Sequence, residues 1–263
     1  MIGIFLIPFD KAVISRPGSK LAPQRIKNYL TNLNFKNKEI LDFLEINLES
    51  FDITRAHQEI FNFIKKNQNY EFYIFIGGDH SITYVIFKAL NFKNCLIINL
   101  DKHFDIRDWS LDNISSGTSF SRLLDEKIIK PEQLIEIGIL DFYNSEYLFQ
   151  KARNYGFDFI RMLDLKSNFK SSAKKIIDKI SNFESIYLSI DIDVMDNSIC
   201  PGSSASSPFG LKQEEIIRII DLILKTKKLK ALDIVETNPL VDFDDMTSKF
   251  SSFLLAYIIS RIK

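Results

Sequence analysis

Cysteine is nearly absent from this chain: Cys95 and Cys200 are the two in 263 residues, and neither lies in a Cys-x-x-Cys or other ligand spacing. That excludes a disulfide framework and a thiolate metal site, and it fits a reducing cytoplasm. An excess of one charge is also missing, since Lys plus Arg and Asp plus Glu number 34 each. The summed field therefore gives no reason to expect nucleic acid or an anionic membrane as a partner, and it points to small-molecule work. No apolar run approaches the roughly 20 residues of a membrane helix. The opening Met1 to Asp10 has no basic leader, and its apolar run is too short for a signal core, so a first strand is expected there. Internal repeats and low-complexity linkers are lacking, and the abundance of Lys and Asn is compositional bias. Residues 1–263 are expected to form a single domain, large enough for a substantial core.

What is present is a recurrence of short apolar runs bounded by polar punctuation: Ile2 to Ile7, Tyr73 to Ile76, Leu96 to Leu100, Leu134 to Ile139, Phe159 to Leu163, Ile186 to Ile190 and Ala231 to Val235. These read as buried strands. Between them, Ala56 to Lys66, Ser172 to Ser181 and Gln213 to Lys225 carry helical periodicity. Alternation of strand and helix implies a parallel sheet covered on both faces. The Ser/Pro/Gly-rich stretch Pro201 to Gly210 falls between a strand and a helix and is expected to be an ordered site loop.

Four strands end in residues that bind hard or borderline cations, at the carboxyl ends where open parallel sheets bind ligands. Tyr73 to Ile76 runs into Gly77-Gly78-Asp79-His80-Ser81, whose glycines are expected to permit a tight turn. Leu96 to Leu100 runs into Asp101-Lys102-His103-Phe104-Asp105, and in an extended chain alternate positions project to one side. Ile186 to Ile190 leads to Asp191-Ile192-Asp193, and crowded buried carboxylates need counter-charge. Each motif alone is ambiguous, because a single histidine is usually structural and an Asp pair can bind Arg or cap a helix. Together they supply four carboxylates and two imidazoles, an inventory suited to two divalent ions about 3.5 to 4 Å apart. Oxygen and nitrogen donors without sulfur favour manganese over zinc, with cobalt, nickel or iron also compatible. Glu236, closing the strand Ala231 to Val235, adds a carboxylate that either holds a cationic amidine or guanidine through paired hydrogen bonds or caps the fold.

In order and spacing these segments resemble the ureohydrolase family of arginases, agmatinases and formimidoylglutamases: Gly77-Gly78-Asp79-His80-Ser81, Asp101-x-His103-x-Asp105, Ser116-Gly117-Thr118, Ser189 to Asp193 with Asp196, Pro201-Gly202 and Val235-Glu236-x-Asn238-Pro239. The resemblance implies a three-layer α/β/α sandwich with a parallel sheet of about eight strands and assembly into trimers or hexamers. It implies two Mn2+ ions held by His80, Asp101, His103, Asp105, Asp191 and Asp193, with Glu236 and Asp105 as catalytic carboxylates. Asp101-Lys102-His103-Phe104-Asp105-Ile106-Arg107 and Ser115-Ser116-Gly117-Thr118 look most like the formimidoylglutamases, which hydrolyse N-formimidoyl-L-glutamate to glutamate and formamide in histidine degradation. Arg107, Ser116 and Glu236 are then the candidate substrate contacts, with Arg122 a second arginine to weigh. Agmatine, arginine or another guanidino acid is the alternative substrate, and a metal-binding relative without turnover is the alternative of another class.

Two departures matter. Lys102 stands where the family usually has Ala, and a cation there is expected to point away from the ions. Ser116 stands where arginases and agmatinases usually carry a histidine. Of the remaining residues, His57 reads as an ordinary helix residue, and Phe104 and Trp109 as pocket walls or packing. Asp79 and Asp196 read as supports for the ligands, and Cys200 as inert.

Overall fold

The computed structural model describes residues 1–48, 50 and 52–262. Eight strands form one parallel sheet: β1 (Ile2–Leu6), β2 (Leu41–Glu45), β3 (Phe72–Ile76), β4 (Cys95–Leu100), β5 (Leu134–Ile139), β6 (Asp158–Arg161), β7 (Ser185–Asp191) and β8 (Leu229–Val235), in the order β2-β1-β3-β8-β7-β4-β5-β6. The helices are α1 (Ala22–Asn32), α2 (Ile53–Lys66), α3 (Ile82–Leu90), α4 (Ser119–Asp125), α5 (Glu146–Tyr155), α6 (Met162–Ser167), α7 (Phe169–Ser181), α8 (Gln213–Lys225) and α9 (Met246–Ile259).

The pleat sorts strand side chains onto two faces, and each face has its own core. Ile4, Leu6, Ile98, Leu188 and Ile234 pack with α1, α7, α8 and α9 through Ile26, Ile176, Ile219 and Leu255. Phe5, Phe75, Ile97, Tyr187 and Val235 pack with α2, α3, α4 and α5 through Ile60, Ile86, Phe120 and Phe149. Helices therefore cover both faces, which is the expected three-layer α/β/α sandwich of arginase-like type. Each fully buried Ile or Leu contributes about 1.5–3 kcal/mol, so the two cores dominate the stabilisation.

The strand and helix runs read from sequence lie within a few residues of the observed elements, and Gln213–Lys225 is α8 itself. Phe159 to Leu163 is the exception. Its strand stops at Arg161, and Met162 opens α6. The edge strand β2 escaped notice because Leu41–Glu45 is only half-buried and carries no continuous apolar run. No helix among the described residues is long and apolar enough to cross a membrane.

Candidate metal centre

The carboxyl ends of β3, β4, β7 and β8 meet at the middle of the sheet, and their terminal residues bring the six predicted donors together. His80, Asp101, Asp105 and Asp191 form one group, and Asp101, His103 and Asp193 a second; within each, the donor atoms lie within 4.8 Å of one another. His80 Nδ1 lies 2.8 Å from Asp105, 3.2 Å from Asp101 and 3.3 Å from Asp191. His103 Nδ1 lies 3.2 Å from Asp193 and 3.5 Å from Asp101. Asp101 belongs to both groups, the place a bridging carboxylate would take.

Turns, not the pleat, produce this convergence. β4 ends at Leu100, and Asp105 adopts a left-handed backbone with φ of 48°. Asp193 sits in a single helical turn, Ile192–Val194. Each strand-end aspartate secures its own turn: Asp101 accepts the amide of His103 at 2.7 Å, and Asp191 that of Asp193 at 2.8 Å. Glu236 is also left-handed, at φ 62°, and accepts the amide of His80 at 2.8 Å. Non-glycine residues in that region carry strain that the surrounding fold must hold, and such residues cluster at functional sites.

Gly77 and Gly78 serve close approach; the chain turns through residues 78–81 as expected, but neither glycine has positive φ. A Cβ on Gly78 would lie 1.7 Å from the carbonyl oxygen of Phe9, and one on Gly77 would lie 2.2 Å from Ile82 Cδ1.

The donor set fits divalent ions. His80 Nδ1 and Asp193 Oδ1 are buried without hydrogen-bond partners among the described residues, which is costly unless a cation completes them. Burial opposes charge on both imidazoles, yet the carboxylates outweigh it: Asp101, Asp105 and Asp191 hold His80 well above its ordinary range, and Asp193 with Asp101 does the same for His103. Burial and then the Asp193 and Asp101 charges push Asp191 well up. Burial, Asp191 and Asp79 do so for Glu236. So much carboxylate in so little solvent calls for cationic neutralisation.

One pleat below the donors lies a polar row that sequence reasoning missed. Glu136, Asn99, Ser189 and Asp233 stand in register across β5, β4, β7 and β8. Ser189 Oγ meets His80 Nε2 at 3.0 Å and donates to Asp233 at 2.6 Å. Asp233 also accepts from Thr83 at 2.7 Å and from the Tyr187 hydroxyl. Asn99 donates to Glu136 at 2.7 Å and reaches Asp101 at 3.5 Å. The signal was available: polar residues interrupt otherwise apolar strands two positions before Asp101 and Asp191. Such contacts orient metal-binding side chains.

A cavity of about 190 Å³ opens above the donors. His103, Asp105, Arg107, Ser116, Asp191 and Glu236 line it, together with Ile14, Tyr143 and Ala205 of the Pro201 to Gly210 loop. Among the described residues no carboxylate pairs with the exposed guanidinium of Arg107.

Several other expectations change. Arg122 is absent from the cavity; it is buried against Tyr84, with its guanidinium carbon 3.6 Å from the ring centroid, and donates to His57 Nδ1 at 3.3 Å. Phe104 is buried among Phe149, Phe157 and Phe159, and the Trp109 indole donates to Asp125, so neither walls the cavity. His57 does more than fill a helix position. Its Nε2 meets Ser81 Oγ at 3.1 Å, and Ser81 donates to Asp79, tying α2 to the His80 turn. Asp79 holds the amide of Ala12, and Asp196 that of Phe209, so both support the loops around the donors. Lys102 does not point clear of the centre: its Nζ lies 3.8 Å from Asp193.

A covered parallel sheet whose middle carboxyl ends gather carboxylates and imidazoles beneath a small cavity defines the class: an α/β/α protein with a donor cluster suited to a binuclear metal centre. Within that class the chain belongs to the arginase family, whose sequence model matches residues 1–260. It is 30% identical over 276 residues to the formimidoylglutamase of Bacillus subtilis strain 168, covering 98% of this chain and 86% of that protein. The crystal structure of formimidoylglutamase from the same species superposes with a TM-score of 0.92 at 28% identity, covering 99% of this chain and 86% of that one. The agmatine ureohydrolase of Thermoplasma volcanium gives 0.84 at 26% identity, covering 99% and 89%.

Proposed function

We propose that this chain hydrolyses N-formimidoyl-L-glutamate to L-glutamate and formamide, with two divalent ions, Mn2+ by donor type, held by His80, Asp101, His103, Asp105, Asp191 and Asp193. One observation carries the reading: a cluster of metal-type donors floors the same cavity that has at its rim an exposed arginine, Arg107, paired with no carboxylate among the described residues. The similarity to formimidoylglutamases supports the substrate.

When bound, such a pair of ions lowers the pKa of a shared water and so supplies a nucleophile at neutral pH. The chain's own residues do the rest. Arg107 takes a substrate carboxylate in a paired, charge-assisted contact, which sets the amidine over the floor of the cavity. Glu236, its plane fixed by the amide of His80, holds the amidine nitrogens and presents the formimino carbon for attack. Ser116 lines the same wall and adds a polar contact. Asp105 receives the proton that the attacking water loses and returns it to the glutamate nitrogen as the carbon–nitrogen bond breaks.

Residues 1–263 act as one functional domain on this reading. It also carries the family's trimeric or hexameric assembly, to be checked by light scattering, and a cytoplasmic setting that agrees with two buried free thiols. The decisive experiment is product analysis of manganese-loaded protein given formiminoglutamate, arginine, agmatine and guanidinobutyrate separately. Formamide from the first alone is expected. Urea from any of the others overturns the substrate, and silence across the set favours a metal-binding relative without turnover.

A further inference from the structure

A groove of about 820 Å³ lies at the opposite end of the sheet from the metal centre. The amino ends of three neighbouring strands, β1, β3 and β8, floor it through Ile2, Phe72 and Leu229. The ends of α8 and α9 and the segment between α1 and β2 wall it. Strands of five to seven residues, at about 3.3 Å per residue, set this floor roughly 20 Å from the donor cluster. The groove is therefore separate from the proposed hydrolytic site, and its chemistry is independent of that reaction.

Charge here is one-sided, in a chain whose charges balance. Lys36, Lys225, Lys227, Lys230 and Arg261 line the groove, all exposed, against two carboxylates, Glu71 and Asp221. Both carboxylates have other partners: Glu71 lies 3.6 Å from the Met1 amino group, and Asp221 accepts the Tyr257 hydroxyl at 2.8 Å. Among the described residues no carboxylate pairs with any of the five cations, whereas the nearby Lys38 and Lys228 are occupied by backbone carbonyls. The negative end of the α8 dipole accounts for Lys225 and Lys227, but not for Lys36 ahead of β2 or Lys230 within β8. Lys227 moreover has a left-handed backbone, φ 60°, where glycine would sit without strain.

Apolar surface adjoins the charge. Ile40 is 39% exposed on one wall, and Leu224 is half-buried on another, above the floor of Ile2, Phe72 and Leu229. An inorganic anion would leave that surface wet; a molecule that is anionic at one end and flat and apolar at the other would cover it. The volume falls within the about 300–1,000 Å³ of small-molecule sites. Several ammonium groups around one space call for several negative charges on one molecule, and lysine serves phosphate as a point charge.

We propose that this groove is a second ligand site, and that it takes an organic polyphosphate of the nucleoside di- or triphosphate class. The lysines and Arg261 hold the phosphates, and the base covers Ile40 and Phe72.

Calorimetric titration of the full-length protein at low salt with ATP, GTP, inorganic triphosphate and adenosine tests this. One nucleotide per chain is expected, bound at least about tenfold more tightly than triphosphate or adenosine. Lys227→Gly combined with Lys230→Gln should weaken it by about tenfold or more, and glycine suits the backbone at 227. Lys65→Gln, on α2 across the sheet, should leave the affinity unchanged, as should Arg107→Ala in the metal-centre cavity. Absence of saturable binding by either nucleotide below about 1 mM would overturn the proposal whatever the variants do. So would loss of binding in Arg107→Ala, which would move the anion to the other cavity. Triphosphate binding as tightly as the nucleotides would remove the apolar half of the argument. Cosedimentation with phosphatidylserine vesicles in place of nucleotide binding would assign the cations to a membrane surface instead.

Discussion

Replacing Arg107 by alanine probes the step from geometry to substrate most directly. The guanidinium lines the cavity two residues beyond Asp105, and no carboxylate pairs with it among the described residues. Its backbone is pinned on both sides: the amide donates to Gly117 at 2.8 Å, and the carbonyl accepts from Ser121 at 2.8 Å. Its stem lies close against Gly117, where an added Cβ would come within 2.9 Å of Arg107 Cδ. A charged hydrogen bond contributes about 1.5–3 kcal/mol net, or roughly 10- to 150-fold in affinity. The exposed rim favours the lower half of that range, because solvent screens the pair. The contact is made equally in the bound substrate and the transition state, so the loss should fall on KM and leave kcat within about threefold. Steady-state formamide release at varied N-formimidoyl-L-glutamate reads both constants, and an amidine lacking carboxylates serves as control. A variant that loses kcat at saturation with KM unchanged would refute the role given to Arg107.

Three further outcomes follow from the same geometry. Asp233→Ala strips Ser189, Thr83 and Tyr187 of a shared acceptor. At about 1–3 kcal/mol per orphaned buried group, urea unfolding should show a loss of about 3 kcal/mol or more, and a loss under about 1 kcal/mol would remove the polar row's structural importance. His57 is held neutral, with burial first and Arg122 second bringing its pKa from 6.5 down to about 3. The unfolded chain therefore takes up a proton that the fold refuses, and stability falls as the pH drops from 6.5 towards about 3. His57→Gln should gain a few kcal/mol relative to the parent between about pH 7 and pH 4, and parallel pH profiles would contradict this. Gly78→Ala places a methyl 1.7 Å from the Phe9 carbonyl oxygen, which is backbone and has little freedom to yield. A loss of about 3 kcal/mol or more is expected in thermal or chemical unfolding, and an unchanged melt would be incompatible with that contact.

The six clustered carboxylates and imidazoles are legible in the sequence by itself because their types and order are chemical facts of the chain. Carboxylates and imidazoles follow immediately on apolar runs, and apolar runs become strands whose ends share one edge of a parallel sheet. Alternation of strand and helix likewise carried the layered architecture. Sequence could not show how the donors meet. Pleat periodicity suggested one side of an extended chain for Asp101, His103 and Asp105, whereas a left-handed turn at Asp105 sends it to His80 and leaves His103 to Asp193. That division depends on strands far apart in sequence lying side by side. The same is true of Lys102, whose reach to Asp193 and Ser207 is set by where the Pro201 to Gly210 loop folds back. Arg107 and Arg122 look alike as letters, yet only packing puts the first in the cavity and buries the second against Tyr84. Composition and local pattern determined which chemistry the chain can carry. Tertiary contact decided which charge faces which, because electrostatic and hydrogen-bonding energies depend on distances that local sequence does not encode.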